Sequence, residues 1–466
     1  MTDARPRVVI LGGGIAGLSA AWECHRQGLR ATVLEAESRA GGVIRTDREG
    51  PFVLDTGPDS FLISKPGAIA LCRELGIDGQ LISMKTPRDA WVLREGRLHA
   101  LPEGGAFGIP TRVAPLLRST LLSPAGKLRV AIEPVVPCRR AREDESVGAF
   151  FRRRFGHQLT NHIAQPLLGG IHVGDIDRLS AEAVVPQLAA AERAGRSVLL
   201  TLRSQRRSVV DGGPFRSFPG GMETLVEALL AQLPPDTVRL GCPATALRRD
   251  AETWRIGTMG ADELAADIVL LAAPAAVVAN WLQTVDQTAA HLSGNITSVS
   301  SAGILAVYRD DQVATPLRGS GYVATPQPGA EPLLATSWLT GKWAGRAPAG
   351  YTILRGFVGG AFDQSALARP DAALVDDAHR SWSARFGISG TPALARVVRW
   401  ERASPQHEVG HGARVRQLDG RLAALPGIAV AGSGFRAVGI PDVVADARHA
   451  IRTLLEQWGH DKMPPA

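Results

Sequence analysis

The stretch that most restricts what this chain can fold into is RVVILGGGIAGLSAAWECHRQGLRATVLEA, residues 7–36. A short apolar run, a glycine turn, a helical segment and a second β-branched run follow one another, which spells a strand–turn–helix–strand unit with parallel strands. In Gly12-x-Gly14-x-x-Gly17 each glycine has its own task. Gly12 permits the tight turn, Gly14 lets a pyrophosphate approach the backbone, and Gly17 lets the helix close on the strand. Ile15 and Ala16 occupy the first turn, whose unpaired N–H groups point at the phosphate. Glu35, at the end of the second strand, can accept from ribose hydroxyls, and its charge disfavours a 2′-phosphate and hence NADP. Gly28 closes the helix. A glycine turn alone also joins strands and helices that bind nothing; here the strand, the helix and the acid agree on a dinucleotide.

The rest of the composition narrows the setting. At 466 residues and 45% hydrophobic content the chain is long enough for two or three domains with cores of their own. Cys24, Cys72, Cys138 and Cys242 have no C-x-x-C spacing, so neither a disulfide framework nor a zinc site is expected, and no H-x-x-x-H spacing suggests another metal. The N-terminus lacks the apolar stretch and cleavage site of a signal peptide, and no uncharged run approaches the roughly 18 residues of a membrane span. A cytoplasmic protein is expected, with peripheral attachment to the membrane left open. The net charge of +7 suits an anionic ligand or surface. Aromatic residues make up 5% of the chain and no basic run is interleaved with them, which argues against nucleic acid.

Further along, residues 110–210 read as a helical layer rich in arginine, with RRAR, RRR and QRR runs whose default reading is a solvated helix face. FPGGMETLVEALLAQL opens a helix after a Pro-Gly-Gly turn, and TVRLGCPATALRRD and DIVLLAAP read as strands returning to the first sheet. Between about 297 and 400, SAGILAVYR, GYVAT, YTILRGFVGG and ARVVRW alternate as an antiparallel sheet would. PGIAVAGSGFRAVGIPDVVADARHAIRTLLEQ supplies a last strand, a glycine turn and a closing helix. The domains are interleaved, not consecutive.

EAESRAGGVIRT, residues 35–46, resembles the second motif of the glutathione-reductase-like flavoproteins, and AGSGFRAVGIPDVVADA resembles their closing motif. The resemblance implies FAD as the cofactor, with Ala36, Arg39, Gly42 and Val43 around the pyrophosphate and Gly432, Val438, Gly439 and Ile440 near the flavin. DTGPDSFLISKPGAIALCRELGI, LHALPEG, PLLGGIHVGDIDRLS, SFPGGMETLVEAL, RAPAGYTILRGFVGG and SPQHEVGHGARV are similar, in that order, to landmarks of the protoporphyrinogen and coproporphyrinogen oxidase family. That adds Gly57, Pro58, Asp59, Ser60 and Ala244 to the residues implied for FAD. It also implies an α/β molecule in three parts: a Rossmann-type FAD domain (1–85, 211–285, 405–462), an antiparallel-sheet substrate domain (86–110, 286–404) and an inserted helical domain (111–210) that associates with membranes in some members. The implied reaction is oxidation of a porphyrinogen to the porphyrin with molecular oxygen, in haem biosynthesis. GPDSFL leans toward the bacterial, coproporphyrinogen-oxidising branch. A ferrochelatase contact, and a monomer or a homodimer, remain open partners on this reading.

The Gly169-Gly170 pair in PLLGG raises its own question. In the family this segment borders the cavity where the macrocycle meets the flavin, so Gly170 would offer bare backbone to the substrate; the alternative is a helix corner that needs φ > 0. Asp175 and Asp177 are expected to cap the next helix or to pair with Arg178. Two positions depart from the family: the arginine that some members place shortly before the L-H-x-L-P motif as a propionate partner is Ala90 here, with Arg88 two residues earlier, and the family's Pro-Gln-Tyr is Pro405-Gln406-His407. No general base is assigned. Two rival readings are a flavin amine oxidase, which typically brings an aromatic pair to the flavin although only Tyr308, Tyr322 and Tyr351 are available, and a non-catalytic protein binding FAD and a porphyrin.

Overall fold

In the computed structural model, which describes residues 5–105, 107–139, 143–204, 211–325, 331–436 and 438–462, the strand Val8–Leu11 is the middle of five. Ala31–Leu34 and Val238–Arg239 lie on one side of it, and Ile268–Leu271 and Ile428–Val430 on the other, all parallel. VVIL and IVLL are buried at every position because helices cover both faces of the sheet. Ile15–Arg26 and Ile440–Lys462 pack on one face through Leu18, Trp22, Val444 and Ile451; Ala275–Leu282 and His411–Ala423 cover the other through Val278, Leu282 and Leu418. The expected return of ATALRRD to this sheet does not occur. Ala244–Asp250 pairs antiparallel with Thr253–Thr258, and that strand with Ala261–Ala266, in a separate three-stranded sheet. Its outward polar residues suit a strand with one solvated face, which a doubly covered sheet cannot offer.

A second, seven-stranded sheet runs in the order Leu394–Pro405, Ser298–Arg309, Tyr351–Gly359, Ala335–Trp338, Gly321–Ala324, Ala90–Arg94 and Arg97–Ala100. It is antiparallel except where Ala90–Arg94 lies parallel to Gly321–Ala324, as a long crossover between them requires. The helix Asp371–Phe386 covers one face through Leu374, Ala378, Trp382 and Phe386.

Residues 113–204 form short helices around Phe150, Phe151, Phe155, Leu159, Ile163 and Leu188. The arginines of RRR in this layer are not a solvated face. Arg152 pairs with Asp177, Arg153 with Glu145 and Glu192, and Arg154 with Glu133 in a fully buried ion pair. Glu133 also accepts from the N–H groups of Val198 (3.0 Å) and Leu199 (3.1 Å), so one carboxylate ties three helices together. Of the other two runs, Arg140–Arg142 and Gln205–Arg207 lie outside the described residues.

Candidate active site

The nucleotide end is built by close backbone approach. Gly12 has φ +113°, and a Cβ on it would lie 2.6 Å from the carbonyl oxygen of Ala272; a Cβ on Gly17 would lie 1.9 Å from that of Gly12. Neither position admits another residue without moving the main chain. A Cβ on Gly14, by contrast, would find only the Cα of Gly42 within 4 Å, at 3.9 Å, so the turn is open on that side. Gly41 N–H donates to the Gly13 carbonyl at 2.8 Å and brings the second glycine pair alongside the first. Glu35 accepts from Gly13 N–H (2.6 Å) and Glu37 N–H (2.8 Å), which fixes its carboxylate at the turn with further lone pairs available to a ribose. No side chain caps the helix Ile15–Arg26, whose first turn includes the buried Ile15 and Ala16, so its leading N–H groups remain for an anion.

The other residues implied for FAD are arranged around this turn. Arg39 donates to the carbonyls of Gly42 (2.8 Å) and Ile44 (2.5 Å) and pairs with Glu223 at 3.3 Å, so it shapes the Gly41–Gly42 loop. Ala36 and Val43 are exposed beside it. Gly57 must be glycine because a Cβ there would sit 1.8 Å from the Val43 carbonyl oxygen. Gly432, at φ +114°, comes within 3.6 Å of the Ala16 methyl when given a Cβ, which sets the closing motif against the pyrophosphate turn. Val438 and Gly439 lead into the helix Ile440–Lys462. Ala244 begins the small antiparallel sheet, two residues beyond Cys242, whose N–H donates to the Glu35 carbonyl at 2.8 Å. A cradle in which added Cβ atoms would collide with main chain, beside an uncapped helix start, fits a dinucleotide.

Asp59 and Ser60, expected at the cofactor, make a network of contacts within the chain. Both Asp59 oxygens take hydrogen bonds from Lys342 Nζ, at 3.0 and 2.9 Å, and Arg355 lies 3.9 Å away; Ser60 Oγ donates to the same carboxylate at 2.7 Å. Burial alone would raise the Asp59 pKa, but the charges of Lys342 and Arg355 and these hydrogen bonds hold it well below the usual carboxylate range. Arg355 also donates to the carbonyls of Asp55 (2.7 Å) and Gly57 (2.6 Å), and Arg346 pairs with Asp55 at 2.7 Å. Residues 55–60, with Pro58 half-buried among them, are thus bolted onto the seven-stranded sheet. The sequence reading missed Lys342, Arg346 and Arg355. The signal was an arginine inside the apolar run ILRGF, at a position where a buried charge needs a partner.

On that sheet Val92, Val323, Ala335, Phe357, Gly303 and Val398 stand in one transverse row. Paired residues share a face. A Cβ on Gly303 would point at the Thr56 carbonyl, 3.9 Å away, and one on Gly170 would meet Val323 Cγ1 at 3.5 Å. The row therefore runs from the loop of residues 55–60 to Gly170. Phe357 is half-buried on it, with the Arg355 guanidinium 4.6 Å from its ring centre.

Gly170 itself is not a left-handed corner: its φ is −62° and ψ −44°. The left-handed residue is Val173, at φ +52°. The segment Thr160–Gly169 is a π-helix carrying Pro166, an arrangement often found at functional sites. Gly169 is the sterically required member of the pair, since a Cβ there would lie 2.9 Å from the Gly174 carbonyl oxygen. Gly170 has room above it. His172, half-buried, is pushed down to about 4 by burial and then by the charge of Lys65, so it is neutral at neutral pH. Its carbonyl accepts from Gln406 Nε2 at 3.0 Å. Of the two roles expected for Asp175 and Asp177, pairing with Arg178 is replaced by Asp177–Arg152 and Arg178–Glu408, and the next helix is capped by Ser180, while Asp175 accepts from the Asp177 N–H at 2.8 Å.

Arg88 is exposed, with its Cδ 2.9 Å from where a Gly213 Cβ would be, and among the described residues it has no ion-pair partner. It lies beyond the start of the strand Ala90–Arg94. A cavity of about 580 Å³ opens at the other end of that strand, lined by Arg94, Arg152, His162, Gln165, Asp177 and Arg385 among others, and includes neither Arg88 nor Gly170. Its arginines are spent on Glu95, Asp177 and Glu331.

Residues 15–455 match the family described as flavin containing amine oxidoreductase. A coproporphyrinogen III oxidase of Bacillus subtilis (strain 168) is 33% identical over 98% of this chain and 99% of that protein. One from Propionibacterium freudenreichii is 32% identical over 96% of this chain and 90% of the relative. Among solved structures, one assigned as a protoporphyrinogen oxidase from Exiguobacterium sp. 255-15 superposes with a TM-score of 0.86 at 31% identity, covering 97% of this chain and 99% of that one. UDP-galactopyranose mutase, with a TM-score of 0.72 at 17% identity, shares the fold. The glycine cradle, the closing motif and these full-length matches agree: the chain belongs to the flavin containing amine oxidoreductase family and, within it, to the FAD-dependent protoporphyrinogen and coproporphyrinogen oxidases.

Proposed function

We propose that this protein oxidises coproporphyrinogen III to the porphyrin, using FAD and molecular oxygen. The observation that carries the reading is the transverse row from Gly303 to Val323, an apolar floor shared by the FAD loop and Gly170. A flat macrocycle needs such a floor, bordered by backbone that carries no side chain. FAD, when bound, supplies a two-electron acceptor, so loss of six hydrogens takes three turnovers and three molecules of oxygen give three of peroxide. The chain's own part is to orient and to exclude water. Phe357 and Val323 supply apolar contact, Gly170 leaves the ring space, and Asp59, Lys342 and Arg355 hold the FAD loop in register with the floor. Arg88, exposed and without an ion-pair partner among the described residues, is the residue we assign to a substrate carboxylate. These roles support the division into FAD, substrate and helical domains read from the sequence.

The coproporphyrinogen preference rests on the relatives, which at 32–33% identity are named for that activity, whereas a protoporphyrinogen oxidase of Arabidopsis thaliana is 22% identical. Turnover of coproporphyrinogen III beside protoporphyrinogen IX under identical conditions, read by porphyrin fluorescence and peroxide release, tests it. A higher kcat/KM for protoporphyrinogen IX would overturn the preference, and release of no porphyrin from either would overturn the activity. An amine oxidase is disfavoured because Tyr308 and Tyr322 are buried under the far face of the sheet and Tyr351 packs on Phe52 at 5.1 Å.

Membrane contact belongs to the same proposal. Val113, Leu117, Leu128 and Val135 are exposed on the helical layer beside Arg112 and Arg118, a surface suited to an anionic bilayer. Among the described residues no helix is long and apolar enough to cross one.

A further inference from the structure

His407 and His411 are buried and stacked, their ring centres 3.9 Å apart and their planes 13° from parallel. Each reaches a carbonyl of the closing motif through Nε2: His407 to Ser433 at 2.9 Å, His411 to Phe435 at 2.6 Å. A carbonyl oxygen can only accept, so both rings carry their proton on Nε2 and a lone pair on Nδ1. The Nδ1 of His411 is buried and, among the described residues, has no hydrogen-bond partner. A second proton there would have no acceptor, and two imidazolium rings at this separation would repel. The carbonyls they hold belong to the Gly432–Phe435 turn, the same turn that Gly432 sets against Ala16 at the start of the pyrophosphate helix.

We propose that the His407–His411 stack is a positioning element for the cofactor: two neutral imidazoles that hold the Gly432–Phe435 turn in the shape FAD requires, and that let it go when acid forces a proton onto either ring. The proposal rests on FAD as the cofactor and not on the identity of the porphyrinogen.

The surroundings agree. Burial, followed by the neighbouring His411, pushes His407 down to about 3, and burial likewise lowers His411. His172 faces the pair from the turn after the π-helix and Arg414 from the helix His411–Ala423, both opposing a further positive charge; Asp144 favours one. Asp144 is committed to the Gly410 N–H at 3.0 Å, Glu408 to Arg178 at 2.7 Å, and Asp446 to the Gly432 N–H at 3.0 Å on the other side of the turn, next to Arg436. Among the described residues no carboxylate makes a hydrogen bond to either ring, and the favourable charge of Asp144 is outweighed by burial.

The sign follows from the lowered values. An opened turn frees the rings to titrate near the ordinary value of about 6.5, so it binds more protons than the closed turn below that pH. The contribution to FAD retention is complete above about pH 6.5 and is lost as pH falls toward the depressed values. One histidine released to its ordinary pKa weakens FAD about thirtyfold between pH 8 and pH 5.

The test is FAD release from the holoenzyme, read by flavin fluorescence on dilution across pH 5–8, for the wild type, His407→Phe and His411→Phe. Phenylalanine keeps the ring and the volume but cannot donate to the carbonyl. We expect each variant to bind FAD about fivefold more weakly at pH 8, the worth of one such hydrogen bond, and to lose much of the pH dependence. Wild-type affinity with the wild-type pH slope would overturn the proposal. So would a lowered melting temperature of the holoenzyme with that slope unchanged, since it would make the pair merely structural. If neither phenylalanine variant folds, His407→Tyr decides: its phenol can reach the Ser433 carbonyl but does not titrate in this range, so FAD should stay bound with a shallower pH profile, and an unchanged profile would refute the idea.

Discussion

Gly17 lies in the first turn of a helix and Gly170 directly after the π-helix, and they are glycines for opposite reasons. At Gly17 an added Cβ would stand 1.9 Å from the Gly12 carbonyl oxygen, whereas at Gly170 the nearest atom would be Val323 Cγ1 at 3.5 Å and φ is −62°. The first glycine is demanded by the chain's own backbone. The second is not demanded by anything among the described residues, which is why we propose that it borders the substrate. The nucleotide end is therefore a site whose steric logic is closed within the chain itself, partly through residues as distant as Ala272, and the substrate end, on our proposal, one whose logic is completed by something from outside.

Substitution at the two glycines breaks this comparison most directly. Gly17→Val should yield no FAD-loaded protein, because the helix cannot close on the strand. Gly170→Val should keep FAD and hold its stability within about 1 kcal/mol, the scale of helix-propensity changes, while porphyrinogen turnover falls by two decades or more. Melting temperature, flavin absorbance and turnover on the same sample separate the outcomes. A Gly170→Val protein that oxidises porphyrinogen normally would show that this glycine does not border the substrate.

The next effect concerns the bolt between the two ends. Lys342→Met leaves the Asp59 carboxylate buried beside the more distant Arg355, and removing one member of a buried pair typically costs about 3–5 kcal/mol. Because the folded pKa of Asp59 is depressed in the wild type, its contribution is present above about pH 3.9 and is lost as pH falls below that value. In the variant the sign reverses: burial without Lys342 raises the pKa, and acid relieves the stranded charge. The deficit in chemical-denaturation stability relative to wild type should thus be largest near pH 7 and shrink toward pH 4. A deficit independent of pH would assign Lys342 a packing role only.

A smaller effect is expected at Glu35. Glu35→Ala removes the acceptor of the Gly13 and Glu37 N–H groups as well as any ribose contact, and charge-assisted hydrogen bonds are worth about 1.5–3 kcal/mol. FAD affinity, measured by flavin fluorescence on dilution, should fall by one to two decades with the fold retained. Unchanged affinity would mean that the carboxylate serves only the turn.

What could be read in the sequence follows the same division. VVIL, GGGIAG and ATVLE specified a strand, a turn and a strand through nearest-neighbour chemistry, and each lies where that chemistry puts it. ATALRRD was misplaced because β-propensity does not say which sheet a strand joins; its solvated side chains do. The RRR run looked like a wet helix face because its partners Glu133 and Glu192 are 21 and 39 residues away and carry no local signal. Lys342 and Asp59 are 283 residues apart. The role of Gly170 came only from resemblance, since neither φ nor crowding marks it.

The smallest expected effect falls on Arg88, and it sharpens the substrate end where the sequence departs from its relatives. The position that the resemblance matches to a propionate-binding arginine of some family members is Ala90, whose small side chain can offer no charge, so recognition of a carboxylate must come from elsewhere or be absent. Arg88 is the nearby candidate because it is exposed and, among the described residues, makes no ion pair that a propionate would have to displace. Exposure also limits its value: a solvent-screened ion pair is worth about 0.2–1 kcal/mol. Arg88→Ala should then raise KM for coproporphyrinogen III about two- to fivefold, leave kcat and the melting temperature unchanged, and lose its effect in high salt, where exposed charges are screened. Coproporphyrinogen carries four propionates and protoporphyrinogen two, so the rise should be the smaller for protoporphyrinogen IX. An unchanged KM for both substrates would remove Arg88 from the site and leave the macrocycle held by the apolar floor of Phe357 and Val323 alone.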